Sequence, residues 1–209
     1  MEKMYQTSFV NKTPSAEISI HVRLTILESQ RLTQYENKRE IEKLCEACPT
    51  YGGKWSCPPC SPAFSGYGLD KYPYAALVLF SCDLDQFSYT KTEYIKIKAS
   101  NTIMKSRMDR LMRSLEQATD GVMISNGNCR LCNPCSKKKG EPCKKPDKLR
   151  FSMEALGLDV ERITADVFSH ELLWYRDKKI PPYLSAVACL LMKERIDEEV
   201  LGELVSEIL

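Results

Sequence analysis

The chain has only two histidines in 209 residues, and it lacks the sequence motifs of the common enzyme classes. It contains no P-loop, no G-x-G-x-x-G fingerprint, no H-E-x-x-H pair and no recognisable Ser-His-Asp set. The C-x3-C-x2-C spacing of radical S-adenosylmethionine enzymes is absent as well. His21 and His170 both stand at strand-like positions, and we expect them to be structural. No catalytic residue can therefore be assigned from the sequence.

Long hydrophobic runs and a large net charge are also missing. No apolar run approaches the roughly 20 residues that a membrane span requires, and the longest ones have the length of buried strands. The N-terminal stretch lacks the cationic and apolar regions of a secretory signal. A formal net charge of +2 implies no general attraction to nucleic acid or anionic lipid. We expect a cytoplasmic protein with neither a membrane nor a nucleic-acid partner.

The order of predicted elements indicates a single α/β domain over residues 1–209. Its mixed sheet is flanked by helices, and two cysteine-rich metal-binding loops, 45–73 and 127–150, lie at the sheet edge. Residues 185–192 read as a strand paired with 171–175, although a helix there remains an alternative. Gly121 is expected to cap the C-terminal end of the long helix predicted at 92–119. Periodicity predicts strands at 17–27, 75–80, 122–125, 171–175 and 185–192, and helices at 28–44, 92–119, 151–156 and 194–209.

What the sequence does have is ten cysteines, eight of which fall into two compact runs. Disulfides are unlikely in the expected compartment, and thiolates at this density favour a soft metal centre. The first run contains Cys45, Cys48, Cys57 and Cys60, and the second contains Cys129, Cys132, Cys135 and Cys143. The two remaining cysteines, Cys82 and Cys189, lie in apolar strand-like runs and are expected to be small buried hydrophobes.

The second run favours an iron–sulfur cluster. Tetrahedral zinc usually takes cysteines as pairs from two separate turns, whereas three sulfurs spaced by two residues resemble the C-x2-C-x2-C run of ferredoxins. The fourth cysteine, Cys143, follows after seven residues and can serve either cluster. Zinc is the alternative here. The many lysines of this loop indicate cations that offset cluster charge, a solvated surface, or a docking site for an acidic redox partner.

The first run leaves more alternatives open. Two C-x-x-C pairs eight residues apart suit a cluster or a small zinc knuckle, and Cys57-Pro58-Pro59-Cys60 resembles a dithiol redox pair without the βαβ setting of one. A site with only three of these cysteines would leave one iron open to water or substrate.

The chain resembles an uncharacterised family of predicted metal-binding proteins, domain of unknown function 2284. The resemblance implies metal binding, of an iron–sulfur type, and no particular reaction. In the family pattern Cys60 is not a regular member, which favours a three-cysteine first site. The matching pieces are Cys45-x-x-Cys48-Pro49-x-Tyr51-Gly52, Trp55-Ser56-Cys57-Pro58-Pro59, Cys129-Arg130-Leu131-Cys132-x-x-Cys135, Cys143-x-x-Pro146 and the run from Ser152 to Val160, SMEALGLDV.

These observations predict a protein with two [4Fe-4S] clusters that acts in electron transfer or redox chemistry, with a partner protein that exchanges electrons. One alternative is an enzyme whose open iron in the first site acts as a Lewis acid or sulfur carrier on a small-molecule substrate. Another is a zinc-stabilised interaction module, with zinc at the first site. Whether the protein is an enzyme stays open at this level.

Overall fold

A computed structural model of the chain describes residues 3–175 and 179–209, and a five-stranded sheet organises them. All pairing between its strands is antiparallel, in the order β1-β2-β3-β5-β4. This sheet and the helices around it confirm the α/β class, but the strand pairing is antiparallel throughout and not mixed as predicted. The strands are β1 (Tyr5–Lys12), β2 (Glu17–Glu28), β3 (Tyr74–Asp83), β4 (Val122–Ile124) and β5 (Tyr183–Met192).

Helices and turns cover both faces of the sheet. The helices are α1 (Lys38–Glu46), α2 (Glu93–Thr119), α3 (Val160–Phe168) and α4 (Glu198–Ile208). Helices α2 and α4 pack on the face that carries Val78 and Phe80, while α3 and the turns around it pack on the face that carries Leu77 and Leu79. Because successive strand residues point to opposite faces, the central strands β3 and β5 are apolar along nearly their whole length.

Most of the predicted elements are confirmed, with shifted ends. Helix α2 begins one residue after Thr92, whose side chain accepts a hydrogen bond from the Ile95 backbone N–H at 3.2 Å. The terminal helix begins at Glu198 and not at 194, because Asp197 caps it. Residues 185–192 belong to β5, so the helical alternative for them is wrong. No helix of the described residues is long and apolar enough to cross a membrane.

Four predictions of secondary structure were wrong or incomplete. The helix predicted at 28–44 is a 3-10 helix at Ser29–Tyr35 followed by α1, which starts after the capping residue Asn37. Residues 151–156 form turns instead of a helix, and 171–175 form no strand. Strand β5 instead pairs with β3 and β4. Residues 176–178, which belong to the predicted connection between 171–175 and 185–192, lie outside the described residues. Strand β1 and helix α3 were not predicted.

The end of α2 corrects the role expected for Gly121. Asp120, with φ of 50°, takes the left-handed position, and the Gly121 N–H donates to the Glu116 carbonyl at 3.2 Å. A Cβ on Gly121 would lie 2.6 Å from the Leu191 carbonyl oxygen. Glycine is therefore needed because β4 starts in close contact with β5, and not because of the helix cap.

Gly157 fixes the turn segment 151–159 against the start of α1. Its φ is +90°, and an added Cβ would lie 2.6 Å from the Lys38 Cα. Its carbonyl accepts the Asn37 N–H at 2.8 Å, and the Asp159 N–H donates to the Tyr35 carbonyl at 3.0 Å. These contacts join the motif SMEALGLDV to the helix that leads into the first cysteine run.

We expect Gly157→Ala to lower the free energy of unfolding by about 2–5 kcal/mol, since it combines a strained left-handed backbone with a backbone clash. The measurement is urea denaturation followed by circular dichroism. Gly66→Ala is the matched control, because Gly66 has no left-handed φ and no atom within 4 Å of an added Cβ. Equal stability of the two variants would contradict this account of Gly157.

Candidate metal centres

The two cysteine runs meet at the β4 edge of the sheet, where the second run directly follows that strand. The Lys54 ammonium donates to the Asn128 Oδ1 at 2.8 Å and to the Cys129 carbonyl at 2.7 Å. The buried Ser56 hydroxyl accepts the Cys129 N–H at 2.9 Å. The Trp55 indole N–H donates to the Glu141 carbonyl at 3.1 Å. Residues 54–56 thus bind both ends of the second run, although more than 70 residues of chain separate them from it.

The second run surrounds one small cavity. All four of its cysteines, Cys129, Cys132, Cys135 and Cys143, line a space of about 20 Å³, together with Trp55 and Leu149. Farther along the chain, Arg150 pairs with the half-buried Glu116 of α2 at 2.5 Å, and the same carboxylate accepts the Met123 N–H at 2.8 Å. The loop that carries the four thiols is therefore anchored to both α2 and β4.

The surroundings of Cys135 favour its thiolate. Burial opposes the charge, but the backbone N–H groups of Trp55 and Lys137 donate to the sulfur, and the ammonium groups of Lys54 and Lys137 lie near it. The net result is that the pKa of Cys135 is lowered. The Lys137 ammonium also lies 4.2 Å from the centre of the Trp55 ring. Thiolates are the form that binds metal, so this environment suits a metal ligand.

The first run lies differently, on the wall of a large open cleft. Cys45, Cys48 and Cys57 line this cleft, whose volume is about 560 Å³, and Cys60 does not. The Thr50 hydroxyl lies 3.3 Å from the Cys48 sulfur and 3.8 Å from the Cys57 sulfur. Burial, followed by the nearby Glu154 carboxylate and the other two sulfurs, raises the pKa of Cys45. The cleft therefore holds three neighbouring thiols and no fourth.

Cys60 is not among the residues that line the cleft, and the residue after it is held by two hydrogen bonds. The buried Ser61 hydroxyl donates to the Ala155 carbonyl at 2.6 Å, and the Lys38 ammonium donates to the Ser61 hydroxyl at 2.9 Å. The Cys60 N–H donates to the Cys57 carbonyl at 2.9 Å, which closes a tight turn. Cys60 is therefore close to Cys57 in this turn, but it does not line the cleft with Cys45, Cys48 and Cys57.

The donors of both runs are thiols, which suit a soft metal centre. Among the described residues, no group of three or more Cys, His, Asp or Glu side chains is arranged to hold a metal ion. The N–H donors at Cys135 and the anchored loop suit thiolate ligands, because a charged sulfur accepts hydrogen bonds.

The structure brings to the cleft several residues that the sequence analysis did not select. Lys105 of α2 and the stretch Asn126-Gly127-Asn128 line it, and Glu154, Asp159 and Glu161 stand on its walls. The position of 126–128 directly before Cys129 was an available signal, whereas nothing in the helix pattern marked Lys105.

Cys82 and Cys189 are buried as expected, and burial raises the pKa of Cys82 to about 12.

Fold and site together define a cysteine-rich α/β protein built for metal binding. A family model described as a predicted metal-binding protein, domain of unknown function 2284, matches residues 31–192, more than three quarters of the chain. The protein belongs to this family. No curated protein and no solved structure matches it. The family model runs from the 3-10 helix before α1 to the end of β5, so it contains both cysteine runs.

We expect Lys54→Met to loosen the contact between the two runs, because it removes hydrogen bonds from a charged donor to Asn128 and Cys129. The expected loss in free energy of unfolding is about 1–3 kcal/mol, and bound metal should dissociate faster to a chelator. Urea denaturation and the rate of metal release measure the two effects. Lys71→Met, at an exposed lysine outside both runs, is the control. Wild-type behaviour of Lys54→Met would contradict the role given to this lysine.

Proposed function

We propose that this protein holds two [4Fe-4S] clusters and carries out redox or Lewis-acid chemistry on a small molecule bound in the open cleft. The second run would form a closed cluster site with four cysteines. The first would form an open site with three. One observation carries this proposal: four thiols surround a small cavity, while three thiols, without Cys60, face a cleft of about 560 Å³.

The four-cysteine site is suited to electron transfer. Cys129, Cys132, Cys135 and Cys143 would satisfy all four irons, so no position would be left for a substrate. The surrounding cations and N–H donors favour the reduced state, since they offset added negative charge.

The three-cysteine site is suited to chemistry on a substrate. When bound, a cluster held by three cysteines supplies one iron with an open position, which can polarise an oxygen or a nitrogen of the substrate. Cys45, Cys48 and Cys57 would hold it at the cleft wall. The role of the chain is then to admit a small molecule, orient it with the polar residues of the cleft, and bring it within reach of the thiol-bound metal.

A redox partner would dock beside the second run. Lys138, Lys139, Lys144 and Lys145 are exposed there, and Lys137 stacks on Trp55. Such a surface attracts an acidic protein and orients it on approach. An acidic one-electron carrier is therefore the partner that we propose for this side of the molecule.

Metal analysis tests the number and kind of centres. We expect protein purified without oxygen to contain about eight iron and eight sulfide per chain, and to change its absorption on reduction. Iron, sulfide and zinc are measured in the same sample. Zinc without iron or sulfide would support the zinc-stabilised interaction module instead. About four iron per chain would mean that the protein holds one cluster and not two.

Substitution of single cysteines tests the difference between the two sites. We expect Cys60→Ser to keep its full iron and sulfide content, because Cys60 lies outside the cleft, and Cys48→Ser to lose about half of both. Cys132→Ser should also lose about half of its iron and sulfide, in this case from the cluster of the second run. Cys82→Ala, at a buried cysteine away from both runs, is the control for general effects of thiol loss.

The open site also predicts a spectroscopic difference between the clusters. A small thiol added to the wild-type protein should change the spectrum of the first cluster alone, and should still do so in Cys60→Ser. Loss of iron in Cys60→Ser, or the absence of any response to the thiol, would indicate two fully ligated clusters and an electron carrier in place of an enzyme.

A further inference from the structure

A second recess adjoins the thiol-lined cleft, and its charged side chains are all cationic. This cationic recess has a volume of about 500 Å³ and is lined by Lys54, Lys105, Gly127, Asn128, Arg130, Cys132 and Asn133. Among the residues that the structure describes, no carboxylate contributes to it. The amides of Asn128 and Asn133 add neutral hydrogen-bonding groups. Cations and amides are the side chains that recognise oxyanions in proteins.

Two of the three cations have no ionic partner among the described residues. Lys54 is occupied by Asn128 and the Cys129 carbonyl. Lys105 and Arg130 are absent from the ion pairs formed within residues 3–175 and 179–209. Lys105 is half-buried and Arg130 is exposed. The recess therefore holds two cations that no carboxylate of the described residues pairs with.

An unsatisfied amide marks the adjoining wall of the cleft. The side chain of Asn126 is one of the cleft-lining residues, and it is only 9% exposed. Its Nδ2 is buried and has no hydrogen-bond acceptor among the described residues. A buried donor without a partner costs about 1–3 kcal/mol, and such a group calls for an explanation. A bound molecule that supplies an acceptor is one that fits its position.

The cleft and the cationic recess adjoin each other. They share Lys105, Gly127 and Asn128 as lining residues. The cleft carries carboxylates at Glu154 and Glu161, whereas the recess carries only cations. A negatively charged group would be repelled from the acidic part of the cleft and attracted to the recess. This polarity gives an anionic ligand one preferred orientation, with its uncharged part towards Cys45, Cys48 and Cys57.

We propose that the small molecule bound in the cleft carries an oxyanion, either a carboxylate or a phosphate, and that Lys105 and Arg130 hold this group in the cationic recess. The inference deepens the proposed function, on which it rests for the nature of the centre at the three cysteines. Oxyanion binding itself depends on the side chains of the recess, so it can be measured separately from metal content.

The test is isothermal titration calorimetry on the intact protein, purified without oxygen, at constant ionic strength. The probes are inorganic phosphate, succinate, and succinamide as an uncharged molecule of the same length as succinate. We expect phosphate or succinate to bind and succinamide not to bind. Binding of phosphate alone would assign a phosphate group to the ligand, and binding of succinate alone would assign a carboxylate.

Variants then locate the bound anion. We expect Lys105→Gln and Arg130→Gln each to weaken binding about tenfold, the size expected for one charge-assisted hydrogen bond. Lys98→Gln removes an exposed lysine from the same helix, outside the recess, and should bind as the wild type does. Arg130 is itself exposed, so its variant keeps the test valid even if Lys105→Gln folds poorly.

Three results would overturn the proposal. They are the absence of phosphate and succinate binding, equal binding of succinamide, and unchanged affinity in both recess variants. Loss of iron from Lys105→Gln and Arg130→Gln with no effect on anion affinity would show that the cations serve only to offset cluster charge. Iron and sulfide counts on the same samples keep a failure of the two-cluster proposal distinct from a failure of this one.

Discussion

The candidate site depends on the joining of two distant loops by residues 54–56. Lys54 and Ser56 bind the backbone at Cys129, and Trp55 binds the backbone at Glu141. These contacts place the first run, which follows α1, beside the second, which follows β4. Lys54 also lines the cationic recess, and Trp55 also lines the four-thiol cavity. Without this junction the eight cysteines would lie on two unrelated surface loops.

The rest of the fold serves to hold this junction at the sheet edge. Strand β4 is only three residues long, and it brings the second run against β5 through the close approach of Gly121 to Leu191. The turn segment 151–159 fixes the other side, since Gly157 packs on Lys38 and Ala155 accepts the bonds of Ser61 and Lys38. Polar contacts to backbone atoms therefore shape both loops, which contain few residues suited to a hydrophobic core.

The two cysteine runs differ in what surrounds them, and this difference has chemical consequences. Under the proposed function, four thiols around a small cavity suit a centre that exchanges electrons. Three thiols on an open cleft, next to the cationic recess, suit a centre that meets a substrate. The proposal is that one site holds the substrate while the other exchanges electrons, and the cationic recess borders on Cys132 of the second run.

Local patterns in the sequence were enough for the α/β class, the long helix α2, the central strands and the metal-binding family, because periodicity and cysteine spacing are properties of neighbouring residues. They failed at 151–156 and 171–175, where tertiary contacts override local preference, and they missed β1, whose burial comes from pairing with β2. Only the tertiary structure separated Cys60 from Cys45, Cys48 and Cys57, and only it brought Lys105 and Asn126 to the cleft. Spacing along a chain says which thiols can reach a common centre, whereas the packing of loops that are distant in sequence decides which of them line one cleft.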